Sequence, residues 1–186
     1  DLKTLRTALE DIAAEHARGE WRVTLDQEDG QTAIEGRLTA RVGTAGGRIH
    51  LGRSRNDQVL TALRLYLRDA VEELRQGAYR VADALHAIAS RHPDLDLPGY
   101  THMQQAMPSS VALWAQGFAA EVADDAEGLQ NCQRRIGKCP LGSAAGYGTP
   151  GLPLDREYTA QQLGFPVVHE PVTAVQLSRG KAEAQV

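Results

Sequence analysis

A cluster of positively charged side chains stands directly ahead of a long segment with helical periodicity. The stretch GRIHLGRSRNDQV, residues 47–59, brings together the polar side chains of Arg53, Ser54, Arg55 and Asn56. Free backbone N–H groups at a helix start bind anions, and arginine adds forked, charge-assisted hydrogen bonds to carboxylate or phosphate. Without such a ligand, each cation near a helix start is disfavoured by up to roughly 1 kcal/mol. The cluster predicts an anion site; the alternative is a solvated turn in which Arg55 pairs with Asp57.

A second group of polar residues lies in the stretch GYTHMQQ, at Thr101, His102 and Gln104. The pKa of histidine lies near neutrality, which suits a proton shuttle or a group that orients one. Threonine and glutamine offer hydrogen bonds to a carboxylate or an amide. The alternative is a surface or capping cluster. Among the other histidines, only His50 lies next to the arginines, and it is a weaker candidate.

A glycine-rich stretch, PLGSAAGYGTPG at residues 140–151, is the third candidate. Its glycines let the backbone approach a ligand closely or adopt a positive φ. It has no P-loop lysine and no strand–turn–helix pattern around it, so a nucleotide site is not indicated. The alternative is a flexible connector.

Helices with apolar faces must position these groups. The longest periodic segment runs over residues 57–90, and Ser54 or Asn56 is a candidate cap for it. A helix of that length measures roughly 50 Å, more than the width of about 40 Å of one compact domain of this size. The pattern therefore favours a helical bundle, and an oligomer that shares it. We expect the other helices at residues 2–18, 31–43, 109–137, 156–165 and from 171 or 172 onward, with Met103, Met107, Trp114 and Phe118 packed inside.

Composition restricts the class of protein. The 186 residues carry a net charge of −4 with no basic block, which argues against nucleic-acid binding. No apolar run reaches the ~18 residues of a membrane span. The first residues are charged, unlike a secretory leader, and the two cysteines have neither zinc nor disulfide-framework spacing, so we expect a cytoplasmic protein. Both ends fall inside helical patterns, so we expect a part of a longer chain.

Taken in this order, the motifs resemble argininosuccinate lyase, a family of the fumarase/aspartase superfamily. The resemblance is carried by SRNDQ, by GYTHMQQ, by CPLGSAAGYG and by the acidic stretch DQEDGQTAIEGRL. It implies an all-α fold of the long-helix bundle type, with residues 1–53 in an N-terminal helical domain and residues 54–186 in the first part of the central bundle. It also implies a homotetramer whose active sites each collect segments from three subunits.

The reaction implied by the resemblance is the β-elimination of argininosuccinate to arginine and fumarate, in arginine biosynthesis, with no metal or organic cofactor. The resemblance makes His102 a catalytic histidine that supports proton transfer, and Thr101 the ligand of a succinyl carboxylate. It gives Asp57 two tasks, which are to cap the helix and to orient Arg55. The residues implied to contact or line the substrate are Ser54, Arg55, Asn56 and Gln104.

The chain departs from the family pattern in several places. The serine-bearing loop GSSxMPxKxNP is not among these residues and is expected beyond Val186, so we expect the 186 residues alone to be inactive. Gln31 stands where the family often has His, Met107 stands where it has Gln, and PLGSAAGYG replaces PLGSGALAG. Two alternatives stay open: another fumarate-releasing lyase, such as one for adenylosuccinate, and a non-catalytic, crystallin-like relative.

Overall fold

The computed structural model describes residues 2–186, which are mainly helical. The α-helices are Leu2–Ala17 (α1), Gly30–Val42 (α2), Arg55–Arg91 (α3), Val111–Ile136 (α4), Arg156–Gln162 (α5) and Ala174–Leu177 (α6). The strands are Asp96–Thr101 (β1), Gln104–Ser110 (β2), Lys138–Cys139 (β3) and Val167–Val168 (β4), and 3₁₀ turns occur at Leu25–Gln27, Gly43–His50 and Glu183–Gln185. The expected all-α class is confirmed. The last helix was expected from residue 171 or 172 onward, but α6 has only the single turn Ala174–Leu177.

The chain divides into two compact units. The first comprises residues 2–61, 140–163 and 169–177, and the second comprises residues 62–139, 164–168 and 178–186. The predicted division between residues 53 and 54 refers to domains of a longer chain, and it stays a prediction.

The core of the first unit lies between α1 and α2. Leu5, Ala8 and Ile12 recur at helical spacing on one face of α1 and pack against Leu38 of α2. Trp21 covers this cluster, and its indole Nε1 donates to the carbonyl of Ile12 at 3.1 Å. The buried residues of α1 are thus Leu5, Ala8 and Ile12, and Leu2 and Leu9 are exposed although their spacing is also helical.

The core of the second unit joins α3 to α4. Val71 of α3 packs against Cys132 and Ile136 of α4, and Ala182 covers the cluster. A polar contact reinforces the pair, since the Gln133 amide donates to the Glu72 carboxylate at 3.0 Å. Hydrogen bonds from Arg75, Gln76 and Gln133 lower the pKa of Glu72 to about 2. The carboxylate is thus charged at neutral pH and suited to hold these donors.

The segment between α3 and α4 is a β-hairpin. β1 and β2 pair antiparallel from Asp96↔Ser110 to Thr101↔Gln104, with an irregularity between Pro98 and Tyr100. A Cβ on Gly99 would lie 2.6 Å from the Met107 carbonyl oxygen, so glycine permits the close approach of the strands there. Pro98 stands opposite Pro108, and two residues without N–H groups are tolerated because the ribbon has only two strands. The prolines therefore excluded a helix but not this pairing.

Several large apolar side chains that we expected inside are exposed in this chain. Trp114 and Phe118, one turn apart on α4, are 47% and 55% exposed, and their rings lie 5.2 Å apart between centroids. Met103 and Met107 of the hairpin are 94% and 77% exposed. The small residues Ala115 and Ala119 are the buried ones on this part of α4. The prediction that these four residues are packed is wrong for a single chain. Over residues 2–186, no helix is both long and apolar enough for a membrane span.

Candidate functional site

The start of α3 is closed by a reciprocal cap. The hydroxyl of Ser54 accepts a hydrogen bond from the backbone N–H of Asn56 at 3.2 Å. The Asp57 side chain in turn accepts from the backbone N–H of Ser54 at 2.9 Å. The cap follows the logic of a capping box, in which a residue before the helix and one in its first turn satisfy each other's N–H groups. Ser54 is therefore the cap, as one of the two predicted candidates.

Asp57 also binds a distant segment, which the sequence did not indicate. Its carboxylate is completely buried, and its second oxygen accepts from the N–H groups of Gly142 at 3.0 Å and Ala144 at 2.8 Å. Both oxygens are thus engaged by backbone amides. The predicted capping role of Asp57 is confirmed, whereas the expected contact with Arg55 is replaced by these amide bonds.

Arg55 faces the acidic end of the segment before α2. One guanidinium nitrogen lies 3.4 Å from a Glu28 oxygen and 3.5 Å from an Asp29 oxygen. The pKa of Asp29 is lowered, first by a hydrogen bond from the Thr32 backbone N–H and further by the charge of Arg55. The alternative in which Arg55 pairs with Asp57 is therefore wrong. Arg55 and its neighbour Asn56 are exposed at the surface of the first unit.

A chain of polar side chains runs beside this segment. Gln58 accepts a hydrogen bond from the Gln31 amide at 3.1 Å, and its oxygen lies 3.0 Å from Nδ1 of His50. The other ring nitrogen of His50 lies 2.9 Å from an oxygen of Glu35. Gln31, one of the departures from the family pattern, is therefore connected through Gln58 to His50. His50 is half-buried and contacts neighbours within the unit.

The glycine-rich stretch is shaped by hydrogen bonds within the first unit. The carbonyl of Ser143 accepts from the N–H groups of both Gly146 and Gly148 at 2.9 Å. Positive φ angles at Gly142 and Gly146, of 88° and 122°, allow these tight turns, and Ala144 shares this region at 51°. These bonds, together with those to Asp57, argue against a flexible connector. We call residues 140–148 the glycine loop.

Arg156 holds the glycine loop from the other side. Its guanidinium donates to the carbonyl of Leu141 at 3.2 Å and to that of His169 at 3.1 Å, and it pairs with Glu170. A Cβ at Gly142 would lie 2.9 Å from the Arg156 side chain, so a small residue is needed at this contact. The loop is therefore fixed at one side by a carboxylate and at the other by a guanidinium.

His102 occupies the tip of the β1–β2 hairpin. His102 and Met103 form its two-residue turn, and both have positive φ angles, 51° and 62°. Positive φ at both central positions is the signature of a type I′ turn, usually built from Asn and Gly. Thr101 and Gln104 close the turn as the last pair of the ladder. The side chains of Thr101, His102 and Gln104 are exposed on the second unit.

The predicted site residues thus form two compact sets. Ser54, Arg55 and Asn56 are consecutive at the start of α3 in the first unit, and Thr101, His102 and Gln104 surround one turn in the second. The residue that the sequence reasoning underestimated is Asp57, because its partners lie more than eighty positions away. Within residues 2–186, no group of three or more His, Cys, Asp and Glu side chains is arranged to hold a metal ion.

Comparison with known proteins places these motifs in context. The profile of a family described as lyase matches residues 1–181. The chain is 49% identical over 178 residues to an argininosuccinate lyase of Sorangium cellulosum (strain So ce56). The matched region covers 96% of this chain and 41% of that relative. It is 42% identical over 183 residues to an argininosuccinate lyase of Stenotrophomonas maltophilia (strain R551-3). The matched region covers 98% of this chain and 42% of that relative.

A solved structure agrees with this similarity. The crystal structure of EDDS lyase in complex with formate matches with a TM-score of 0.82 and 26% identity, covering 96% of this chain and 35% of that one. The chain therefore spans about two fifths of the length of the curated relatives that it matches.

Proposed function

The chain belongs to the lyase family whose profile it matches over residues 1–181. We propose that the complete protein cleaves argininosuccinate to arginine and fumarate, the activity for which its relatives at 49% and 42% identity are named. The observation that carries the proposal is the strained turn of His102. A non-glycine residue at positive φ costs about 1–3 kcal/mol and persists only where the surrounding structure fixes it, which is frequent at active sites. Here the strain presents a titratable ring next to two hydrogen-bonding side chains, Thr101 and Gln104.

The proposed reaction is a β-elimination. A base takes the proton from the carbon next to a succinyl carboxylate, and the electron pair of that C–H bond first moves onto the carboxylate. It then forms the C=C bond of fumarate while the C–N bond breaks. Arginine leaves with the electron pair of that bond, and its guanidine nitrogen takes up a proton from water. The intermediate carries extra negative charge on the carboxylate oxygens, and pre-set donors aimed at those oxygens supply the largest stabilisation. In this proposal the donor to the succinyl carboxylate is Thr101.

Each set has a distinct task in this proposal. Thr101 binds the succinyl carboxylate, and His102 supports the proton transfer, with Gln104 lining the site beside them. Ser54 and Asn56 contact the substrate at the start of α3, where the helix dipole favours negative charge. Arg55 adds a guanidinium for the substrate's anionic groups. The base itself, a serine in the family, is proposed to lie outside these residues, and no metal or organic cofactor is invoked.

We further propose a cytoplasmic homotetramer. The support for the assembly is the exposure of large apolar side chains in the second unit, among them Met103, Met107 and the contacting pair Trp114 and Phe118. Apolar side chains clustered on a surface mark protein–protein interfaces. Light scattering of the complete protein should give the mass of four chains; a single-chain mass would contradict the assembly.

Product analysis tests the proposed reaction. The complete protein, incubated with argininosuccinate, should form arginine and fumarate in equal amounts by NMR. Arginine without fumarate would indicate a hydrolysis instead of an elimination, and no product would leave the crystallin-like alternative as the better account.

Replacing Arg55 by lysine should weaken substrate binding. Lysine keeps the charge but loses the planar fork that binds a carboxylate through two N–H donors. A charge-assisted hydrogen bond is worth about 1.5–3 kcal/mol, so we expect KM to rise about tenfold or more. Steady-state kinetics of the complete protein measure the change. Arg6→Lys is the matched control, because Arg6 is an exposed arginine whose carboxylate partner, Glu10, lies on the same helix surface. An Arg55→Lys protein with the KM of the control would contradict the anion site.

A further inference from the structure

The buried carboxylate of Asp57 connects the start of α3, which carries three of the proposed substrate-binding residues, to the glycine loop. One oxygen accepts from the N–H of Ser54, which begins the anion-binding segment, and the other accepts from Gly142 and Ala144 of the glycine loop. All these residues lie in the first unit. We propose that Asp57 is a positioning residue that fixes the glycine loop against Ser54–Asn56 and so sets the shape of the substrate site. This inference rests on the proposed lyase function.

The chemistry of the three partners explains why the residue is an aspartate. Three N–H donors converge on one side chain, and an ionised carboxylate is the short side chain that offers acceptors only. An asparagine of the same shape would direct an NH₂ group at one of these donors. The side chain is completely buried, and burying a polar group is tolerated when hydrogen bonds replace its contacts with water. The three bonds meet that condition.

The geometry also explains why the glycine loop needs an external anchor. The loop reaches Asp57 through Gly142 and Ala144, with φ angles of 88° and 51°. Ala144 is a non-glycine residue in the left-handed region, which is held only when its surroundings determine it. Its N–H donates to Asp57 at 2.8 Å, the shortest of the three bonds. The carboxylate therefore holds the loop in a strained conformation beside the start of α3.

The alternative is that Asp57 contributes only to folding. In that case its loss would reduce the amount of folded enzyme and would leave the KM of the folded fraction unchanged. In the positioning role, the loop and Ser54 separate by a fraction of an ångström or more, and the substrate is bound in a poorer geometry. A displacement of about 1 Å can cost up to 10²-fold in rate. The measured rate falls in both cases, but KM does not depend on the amount of folded enzyme. KM is therefore the quantity that distinguishes the two roles.

The test compares two variants of the complete protein. Asp57→Asn keeps the shape of the side chain and removes one acceptor. Thr61→Val is the matched control: Thr61 is buried one turn further along α3, and its hydroxyl donates to the Asp57 carbonyl at 2.6 Å without touching the carboxylate. We expect Asp57→Asn to raise KM for argininosuccinate about tenfold and to lower kcat about tenfold, and Thr61→Val to change both less than twofold.

Two further measurements keep the test decisive. If Asp57→Asn does not fold, Asp57→Glu takes its place, because it retains the carboxylate and displaces it by one methylene. For this variant we expect KM to rise as well, but less than for Asp57→Asn. Hydrogen exchange at the Gly142 and Ala144 amides should accelerate in the Asp57 variants and stay unchanged in Thr61→Val. A folded Asp57 variant with wild-type KM, or with unchanged exchange at both amides, overturns the positioning role. If the wild-type protein itself releases no fumarate, it is the proposed function that fails.

Discussion

Replacing His102 by asparagine is expected to lower kcat of the complete protein by about 10²- to 10⁴-fold, the range typical of a lost acid–base group. Asparagine cannot exchange a proton near neutral pH, but it tolerates positive φ better than most residues. The turn of the hairpin, where His102 has a φ of 51°, should therefore keep its shape. Steady-state fumarate release measures the loss, and circular dichroism checks that the fold is retained.

The control for this variant is the same substitution at another exposed histidine of the second unit. His92 follows α3 directly, and its backbone N–H donates to the carbonyl of Ile88. His92→Asn should retain kcat within twofold. A His102→Asn protein that turns over at a rate near that of the control would remove His102 from the mechanism.

Replacing Arg64 by methionine is expected to lower the free energy of unfolding by about 3–5 kcal/mol, as for other buried ion pairs broken at one partner. Arg64 is 1% exposed, and its Nε donates to Glu183 at 2.9 Å. It also donates to the Lys138 carbonyl at 2.7 Å. The methionine leaves the Glu183 carboxylate, which is 8% exposed, without its partner in the second unit. Urea unfolding at one fixed protein concentration gives the difference.

A double variant separates the buried charge from the packing. Adding Glu183→Leu to Arg64→Met removes the stranded carboxylate, and most of the lost stability should return, because apolar replacements of a buried pair are often neutral. Arg68→Met is the surface control, since the pair of Arg68 and Asp69 is partly exposed and such pairs contribute at most about 1 kcal/mol. Equal losses for Arg64→Met and Arg68→Met would contradict the buried-pair account.

The helical part of the fold was accessible from the sequence because it depends on local periodicity. The faces of α1 and α3 repeat every three to four residues, and their ends coincide with Ala17 and Arg91, within a residue or so of the predicted limits. The cap of α3 at Ser54 depends on a short-range hydrogen bond, of a kind that residue type alone indicates.

The remaining features depend on contacts between distant residues. The hairpin has prolines in both strands, and its two-residue turn is His102 and Met103, not the Asn-Gly or Asp-Gly pair that signals such a turn in a sequence. The bonds from Asp57 to Gly142 and Ala144 span 85 and 87 positions. The exposure of Trp114 had no local signal either, because an apolar face reads the same whether its own chain or another one covers it.

In the candidate site, too, the local features could be predicted from the sequence and the contacts between distant residues could not. The residue types that suit an anion and a proton transfer could be identified by their grouping, as at Arg55 and His102. Their partners could not, because Arg55 faces Glu28 and Asp29 from an earlier segment instead of its neighbour Asp57. The positions of the site residues in the structure are thus known, whereas their catalytic roles stay proposals until the variants are measured.

The most direct test of the account is the release of fumarate by the complete wild-type protein, followed by absorbance with argininosuccinate and adenylosuccinate in parallel. The account predicts release from argininosuccinate and none above background from adenylosuccinate. Release from adenylosuccinate alone would assign the protein to another substrate within the superfamily. Release from neither, by a protein shown to be folded, would contradict the proposed activity and favour a non-catalytic relative.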